Sequence, residues 1–263
     1  MHLSLGISPC PNDTYIFDAW VNKKIDSSDI DLMLHLDDVQ TLNKWALQEK
    51  LDITKISFGV YPLIKENYVL LDSGSAMGIG VGPLLITTKE KAGSINLADI
   101  SKLHNIAIPG ENTTAHFLFN KAFPNAQHKQ FMVFHEIQEA ILKGEVDAGV
   151  IIHENRFTYQ EKGLYCLMDL GKYWEDTTGL PIPLGGIVIH KRILSEKEKI
   201  NQLIHYSLLY ARNHDPVLPD FVKEHAQEMS EAVMRQHIDL YVNDYSFSMG
   251  EKGRNSVDQM LRK

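Results

Sequence analysis

The chain has 263 residues and a formal net charge of −8 at pH 7, with Lys and Arg in isolated pairs and not in runs, which excludes an extended nucleic-acid-binding surface. Its 44% hydrophobic and 23% charged content describes an ordinary globular protein, and its length favours two modest domains over one. No apolar run reaches a membrane span, the N-terminus lacks the basic start and apolar core of a secretory signal, and Cys10 and Cys166 form neither a disulfide framework nor a paired-Cys metal motif, so a reduced, cytoplasmic setting is expected.

In chain order, residues 1–7 alternate as a strand, 8–13 read as a loop, and 14–23 form a helix capped by Asp13 or Thr14. A strand over 30–36, a helix starting near Asp37 and a strand over 52–57 follow, and 69–73 and 82–88 are extended again. Residues 105–110 then open a fresh strand-loop-helix order resembling the N-terminus, with a helix over 115–123 and strands over 131–134 and 148–152. Residues 185–190 read as a return strand. The remainder is mostly helical, over 195–213, 221–229, 230–242 and from Glu251 onward.

This order predicts a discontinuous first lobe of residues 1–88 and 189–263 and a second lobe of 89–188. A lobe interrupted by another and completed by C-terminal helices is the plan of the α/β, two-lobed, type II periplasmic-binding-protein fold, with a ligand cleft between the lobes.

Two stretches repeat one pattern. His35-Leu36-Asp37-Asp38 leads through a helix to Leu51-Asp52-Ile53-Thr54-Lys55-Ile56-Ser57, and Phe134-His135-Glu136 leads through another to Val146-Asp147-Ala148-Gly149-Val150-Ile151-Ile152-His153. Each reads as an extended run, acidic helix-capping residues, a helix, and an apolar-Asp-small entry to the next strand. The copies close differently, on Lys55 and Ser57 in the first and on His153-Glu154-Asn155-Arg156 in the second. Strand ends of open α/β sheets are where ligands bind, so these residues are candidates for a site.

Several motifs carry chemistry. Ser8-Pro9-Cys10-Pro11-Asn12-Asp13-Thr14 has two prolines that stiffen the backbone and remove donors, leaving Asn12, Asp13 and Thr14 to present polar groups at a helix start. A lone Cys10 between prolines reads as a space-filler and not as a nucleophile. The helix start at Thr113, Thr114 and Ala115 offers N–H groups and a partial positive charge to a carboxylate, though a plain Thr N-cap gives the same sequence. Gly78-Ile79-Gly80-Val81-Gly82 lacks the spacing of a dinucleotide loop and reads as a flexible crossing. Two Asn-X-Thr matches, at Asn12 and Asn112, carry no meaning without a secretion signal.

Most of the twelve histidines show no metal-ligand spacing, and neither a metal nor a cofactor is expected. His153 differs because it ends a nearly all-apolar strand. An imidazole half-buried there can remain neutral near pH 7, as a general base requires.

Together, Ser8 to Thr14, Thr54-Lys55-Ile56-Ser57, Thr113-Thr114-Ala115, Ile152-His153-Glu154-Asn155-Arg156 and Pro183-Leu184-Gly185-Gly186 resemble the 1,4-dihydroxy-6-naphthoate synthase family of the futalosine route to menaquinone. The resemblance spans almost the whole chain. It implies cofactor-free cleavage of cyclic dehypoxanthine futalosine to 1,4-dihydroxy-6-naphthoate and dihydroxyacetone, with His153 as proton acceptor and substrate contacts at Lys55, Ile56, Ser57, Thr114 and Ala115; Asn12, Asp13 and Thr113 are expected to bind substrate as well. The chemistry assigns the Thr114 and Ala115 amides to the substrate carboxylate, and Lys55 and Ser57 to hydroxyl or oxyanion contacts.

The alternatives are the sister family, chorismate dehydratase, which shares the fold but lacks the Ser8 to Asp13 opening, and a non-catalytic small-carboxylate-binding protein. A solute-binding protein should carry a secretion signal, and a sensing domain of a transcription regulator should carry a DNA-binding module ahead of residue 1. The expected partner is therefore a small carboxylate-bearing substrate, with no nucleic acid and no membrane; the oligomeric state is not encoded in any motif.

Overall fold

The computed structural model describes residues 1–27, 29–226 and 230–262. The chain divides into two compact units, Met1–Gly78 with Pro183–Lys263, and Ile79–Ile182. No helix of the described residues is long and apolar enough to cross a membrane.

The first unit opens with β1 (His2–Ile7), α1 (Pro11–Val21), β2 (Asp31–Leu36), α2 (Val39–Leu47), β3 (Ile53–Ser57), α3 (Tyr61–Ile64), β4 (Tyr68–Leu70) and β5 (Ala76–Gly78). β1 lies between β2 and β3 and pairs with both in parallel. The α1 helix starts earlier than the sequence suggests. Pro11 fits a helix start, where no intrahelical acceptor is available for an N–H anyway, and Asp13 and Thr14 are inside the helix and do not cap it.

The second unit contains β6 (Leu84–Thr88), α4 (Lys89–Ala92), β7 (Ile106–Ile108), α5 (Thr114–Ala122), β8 (Lys129–Phe131), α6 (Ile137–Leu142), β9 (Ala148–Ile151), α7 (Asn155–Thr158), β10 (Leu164–Asp169) and α8 (Leu170–Thr178). Among the described residues its sheet has the order β10-β6-β9-β7-β8. β7 pairs in parallel with β8 and β9, and β6 pairs antiparallel with β9 and β10. Neither β10, an edge strand with a register shift between Cys166 and Met168, nor α8 was expected from sequence.

The chain returns through β11 (Ile182–His190) to α9 (Lys197–Asn213), α10 (Asp220–His225), α11 (Glu231–Tyr241), α12 (Asp244–Phe247) and α13 (Gly250–Leu261). β11 pairs antiparallel with β3 and β4, completing the order β2-β1-β3-β11-β4 with β5 also on β11. The crossings therefore fall at 78–79 and 182–183 and not at 88 and 188, because β6 bonds to β9 and β10 while most of β11 bonds to β3. Residues 227–229, the end of an expected helix, lie outside the described residues.

The core of the first unit joins Leu3, Leu5 and Ile7 of β1 to Tyr15, Ile16, Phe17 and Trp20 of α1 and to Ile200, Leu203, Ile204 and Leu208 of α9. Helix α1 is buried from Pro11 to Trp20, which is why its sequence lacks a clean polar face.

The repeat is larger than the motif that revealed it. β1-α1-β2-α2-β3 and β7-α5-β8-α6-β9 have the same element order, and β7 lies between β8 and β9 as β1 lies between β2 and β3. In both copies the Asp before the last strand bonds to the first strand or to the residues just ahead of it. Asp52 accepts from the Ser4 amide and hydroxyl at 2.8 and 2.7 Å, and Asp147 accepts from the His104 amide at 3.1 Å while its own amide donates to the Asn105 carbonyl. The caps differ. Asp38 accepts from the Gln40 and Thr41 amides, whereas Glu136 makes no side-chain cap bond.

Candidate active site

In the first unit the Ser-Pro-Cys-Pro-Asn-Asp segment and β3 build one buried polar cluster. Asp13 Oδ2 accepts from Ser8 Oγ at 2.7 Å and from the Ser8 amide at 3.2 Å. Its Oδ1 accepts from Asn12 Nδ2 at 2.8 Å and from Lys55 Nζ at 2.5 Å. Lys55 and Asp13 are 5% and 1% exposed, so this is a buried ion pair and not a surface one. Both carboxylate oxygens are engaged, and the ammonium is the group of the pair with donor capacity to spare.

Two residues that sequence reasoning did not single out complete the cluster. Asn43 of α2 donates to Ser57 Oγ at 3.1 Å and accepts from the Ser57 amide at 2.9 Å. His237 of α11 meets Asn12 Oδ1 through Nε2 at 2.9 Å. Because Asn12 spends its Nδ2 on Asp13, its oxygen is the acceptor toward His237, and Nε2 carries the proton.

Strand alternation separates Ile56 from its neighbours. Its side chain packs with Ala46, Val60, Ile64, Tyr68 and Val188, and its backbone is paired with Gly186 of β11. Ile56 is therefore a core residue whose side chain does not join Lys55 and Ser57. Gly185 is required beside it, since a Cβ there would stand 2.7 Å from the Ile56 carbonyl oxygen and 3.1 Å from Lys55 Cε. Gly185 thus leaves room for the Lys55 stem, and Gly186 for the Phe58 ring, which a Cβ would meet at 2.8 Å.

In the second unit Thr113 is the N-cap of α5, its Oγ1 accepting from the His116 amide at 3.2 Å and donating to the Gly110 carbonyl at 2.8 Å. Thr114 and Ala115 follow in the first turn, 4% and 2% exposed, at the positive end of the helix dipole. His116 is held by the Glu111 carbonyl and Asn120, and burial lowers its pKa against the opposing carbonyl bond. That burial favours the neutral imidazole.

His153 lies just beyond β9, half-buried, with its ring 5.1 Å from that of Phe134. Its φ of 57° is left-handed, a conformation rare in non-glycine residues and concentrated at functional sites. The turn around it is fastened on several sides. Asn155 Nδ2 donates to the Phe134 carbonyl at 3.2 Å, and Gln138 Nε2 donates to the Asn155 carbonyl at 3.2 Å. Lys162 holds Gln138 at 2.7 Å, and Arg156 bridges the Gly82 carbonyl and Asp169, the N-cap of α8.

The Gly78 to Gly82 crossing is accordingly not loose throughout. The Gly80 amide donates to Glu175 at 2.7 Å, the Gly82 carbonyl is held by Arg156, and Gly82 packs directly on the backbone of Gly171.

Residues 3–263 match the profile of a family described as menaquinone biosynthesis. A 1,4-dihydroxy-6-naphthoate synthase of Thermus thermophilus is 40% identical over 264 residues, covering 98% of this chain and 92% of that protein. Its counterpart of the same name from Streptomyces coelicolor is 37% identical over 265 residues, covering 98% and 91%. Among solved structures, an Archaeoglobus fulgidus protein aligns with a TM-score of 0.90 at 27% identity, over 98% of this chain and 95% of that one. A Candida albicans protein described as having the generic periplasmic binding protein fold aligns with a TM-score of 0.71 at 11% identity, over 99% and 89%, a likeness of fold alone. On a periplasmic-binding-protein-like α/β fold, the chain belongs to the menaquinone biosynthesis family.

Proposed function

We propose that the chain is a 1,4-dihydroxy-6-naphthoate synthase, a cytoplasmic carbon–carbon lyase that converts cyclic dehypoxanthine futalosine to 1,4-dihydroxy-6-naphthoate and dihydroxyacetone. The observation that carries this reading is His153, a half-buried imidazole in a left-handed turn against Phe134. It stands in a chain 40% identical to a protein of that name. Breaking a carbon–carbon bond while a ring becomes aromatic calls for one poised base in a sheltered place, and this imidazole supplies it.

The remaining roles follow from the chemistry of each group. The buried Lys55 ammonium, fixed by Asp13, suits a hydroxyl or developing oxyanion, and Ser57, oriented by Asn43, suits a hydroxyl. The α5 start at Thr114 and Ala115 suits the substrate carboxylate. Asp13 acts by holding Lys55, and Asn12 by holding Asp13.

The test is conversion by the purified protein, with product followed by mass, against chorismate under identical conditions. Release of naphthoate and dihydroxyacetone is expected. Dehydration of chorismate without cleavage of the cyclic futalosine would refute the assignment in favour of the sister family.

A further inference from the structure

Glu154, the residue after His153, has no part in the roles above, and its surroundings are unusual. Its Oε2 is buried and makes no hydrogen bond among the described residues. A carboxylate oxygen and a His153 ring nitrogen lie within 4.8 Å of each other. An unsatisfied buried oxygen is costly and calls for an explanation. The neighbouring cations do not provide one, since Arg156 is taken by Asp169 and Lys162 by Gln138.

We propose that Glu154 is the proton donor complementing His153. The proposal rests on the lyase reading and asks where the proton required by the departing fragment comes from. When His153 removes a proton from carbon, the C–H electron pair forms the new ring double bond, and the pair of the breaking carbon–carbon bond leaves with the three-carbon fragment. That fragment must gain one proton to depart as neutral dihydroxyacetone. Glu154 supplies it and becomes a carboxylate, and the His153 imidazolium then returns a proton to Glu154, which through one bridging water is within reach. Both groups end as they began. The sum of the steps is a cleavage that needs no oxidant, reductant or added water.

The environment agrees with this division. Burial pushes the Glu154 carboxyl above the usual carboxylate range, a hydrogen bond from its own backbone opposing the shift. Two adjacent titratable groups in unlike surroundings are the arrangement by which acid and base roles are separated. Glu154 also stands in the same fastened turn as His153, with Asn155 and Arg156 anchoring it from the C-terminal side, so the two side chains keep their relation.

The experiment compares Glu154→Gln and Glu154→Ala with the unmodified protein. It measures kcat and KM for cyclic dehypoxanthine futalosine, binding of 1,4-dihydroxy-6-naphthoate, and turnover with added formate. Loss of a general acid costs about 10²–10⁴-fold, so kcat should fall by that factor in both variants. Naphthoate should bind within about twofold of normal by the same reasoning, since product binding needs no proton transfer. Formate, entering the space vacated in Glu154→Ala, should restore part of the rate.

Turnover of Glu154→Gln within tenfold of normal would overturn the proposal, as would an absence of formate rescue in a variant that still binds naphthoate. Loss of naphthoate binding in both variants would assign Glu154 to packing and overturn it too. Failure of the unmodified protein to turn over would instead overturn the lyase reading beneath it, so the two failures are distinguishable.

Discussion

Replacing Asp13 with Ala should be among the most damaging single changes in the first unit, and more damaging than replacing Asp13 and Lys55 together. The carboxylate accepts from Lys55, Asn12, and the Ser8 hydroxyl and amide, and Lys55 is 5% exposed. Removing one partner of a buried ion pair leaves an uncompensated charge and costs about 3–5 kcal/mol. In Asp13→Ala with Lys55→Met that charge is gone, and the Met side chain fills most of the Lys stem. What remains, as in the single variant, is three donors without an acceptor, the Ser8 hydroxyl, the Ser8 amide and Asn12 Nδ2, roughly 1 kcal/mol each, or about 3 kcal/mol in all. The double variant should therefore be more stable than Asp13→Ala alone. Urea unfolding followed by circular dichroism measures this as midpoints at constant slope, and hydrogen exchange of the β1 and β3 amides would localise the loss to the first unit. A double variant less stable than Asp13→Ala, by an amount equal to the Lys55→Met effect, would refute the coupling.

His153→Gln should lose about 10²–10⁴-fold in kcat while still binding the naphthoate product; turnover kinetics with a binding titration checks both halves. Thr114→Val should weaken naphthoate binding, and the methyl ester of naphthoate should bind the unmodified protein poorly, as calorimetric titration of acid and ester would show. At Asp52 burial opposes ionisation, but hydrogen bonds from the Ser4 amide and hydroxyl and from Arg192 outweigh it and lower the pKa. The folded value lies below the unfolded one, so the stabilisation is present above the ordinary carboxylate range, near pH 4, and is lost as pH falls through the folded value. The stability advantage over Ser4→Ala should accordingly shrink on acidification, as denaturation series at several pH values would show. Gly171→Ala should destabilise the second unit, because a Cβ there would stand 2.6 Å from the Gly82 Cα and 2.8 Å from its nitrogen, and a thermal melt reads this directly.

Much of the fold was legible because its signals are local. Apolar runs of the right length gave β1, β2, β3 and β9, and the acceptors at Asp38 and Thr113 marked two helix starts by chemistry confined to one turn. The repeat was legible through the Asp before each closing strand, which in one copy bonds to Ser4 of the first strand and in the other to His104 just ahead of it. Edge strand β10 and helix α8 were not legible, because β10 is only partly buried and its pattern is broken at the register shift.

The candidate site divides in the same way. Sequence singled out Lys55, Ser57, Thr113, Thr114 and His153 as candidates, each at the end of a recognisable element, and strict attention to period two along β3 would have separated Ile56 from Lys55 and Ser57. It could not reveal that Asp13, instead of capping α1, would hold Lys55 from 42 positions away. Nor could it reveal that His237, 225 positions from Asn12, would steady the same cluster. Local periodicity and capping chemistry determine which elements form, because they depend on neighbours along the chain. Which polar groups share a buried place, and which proton each one carries there, is decided only when tertiary packing brings distant elements together and removes water from between them.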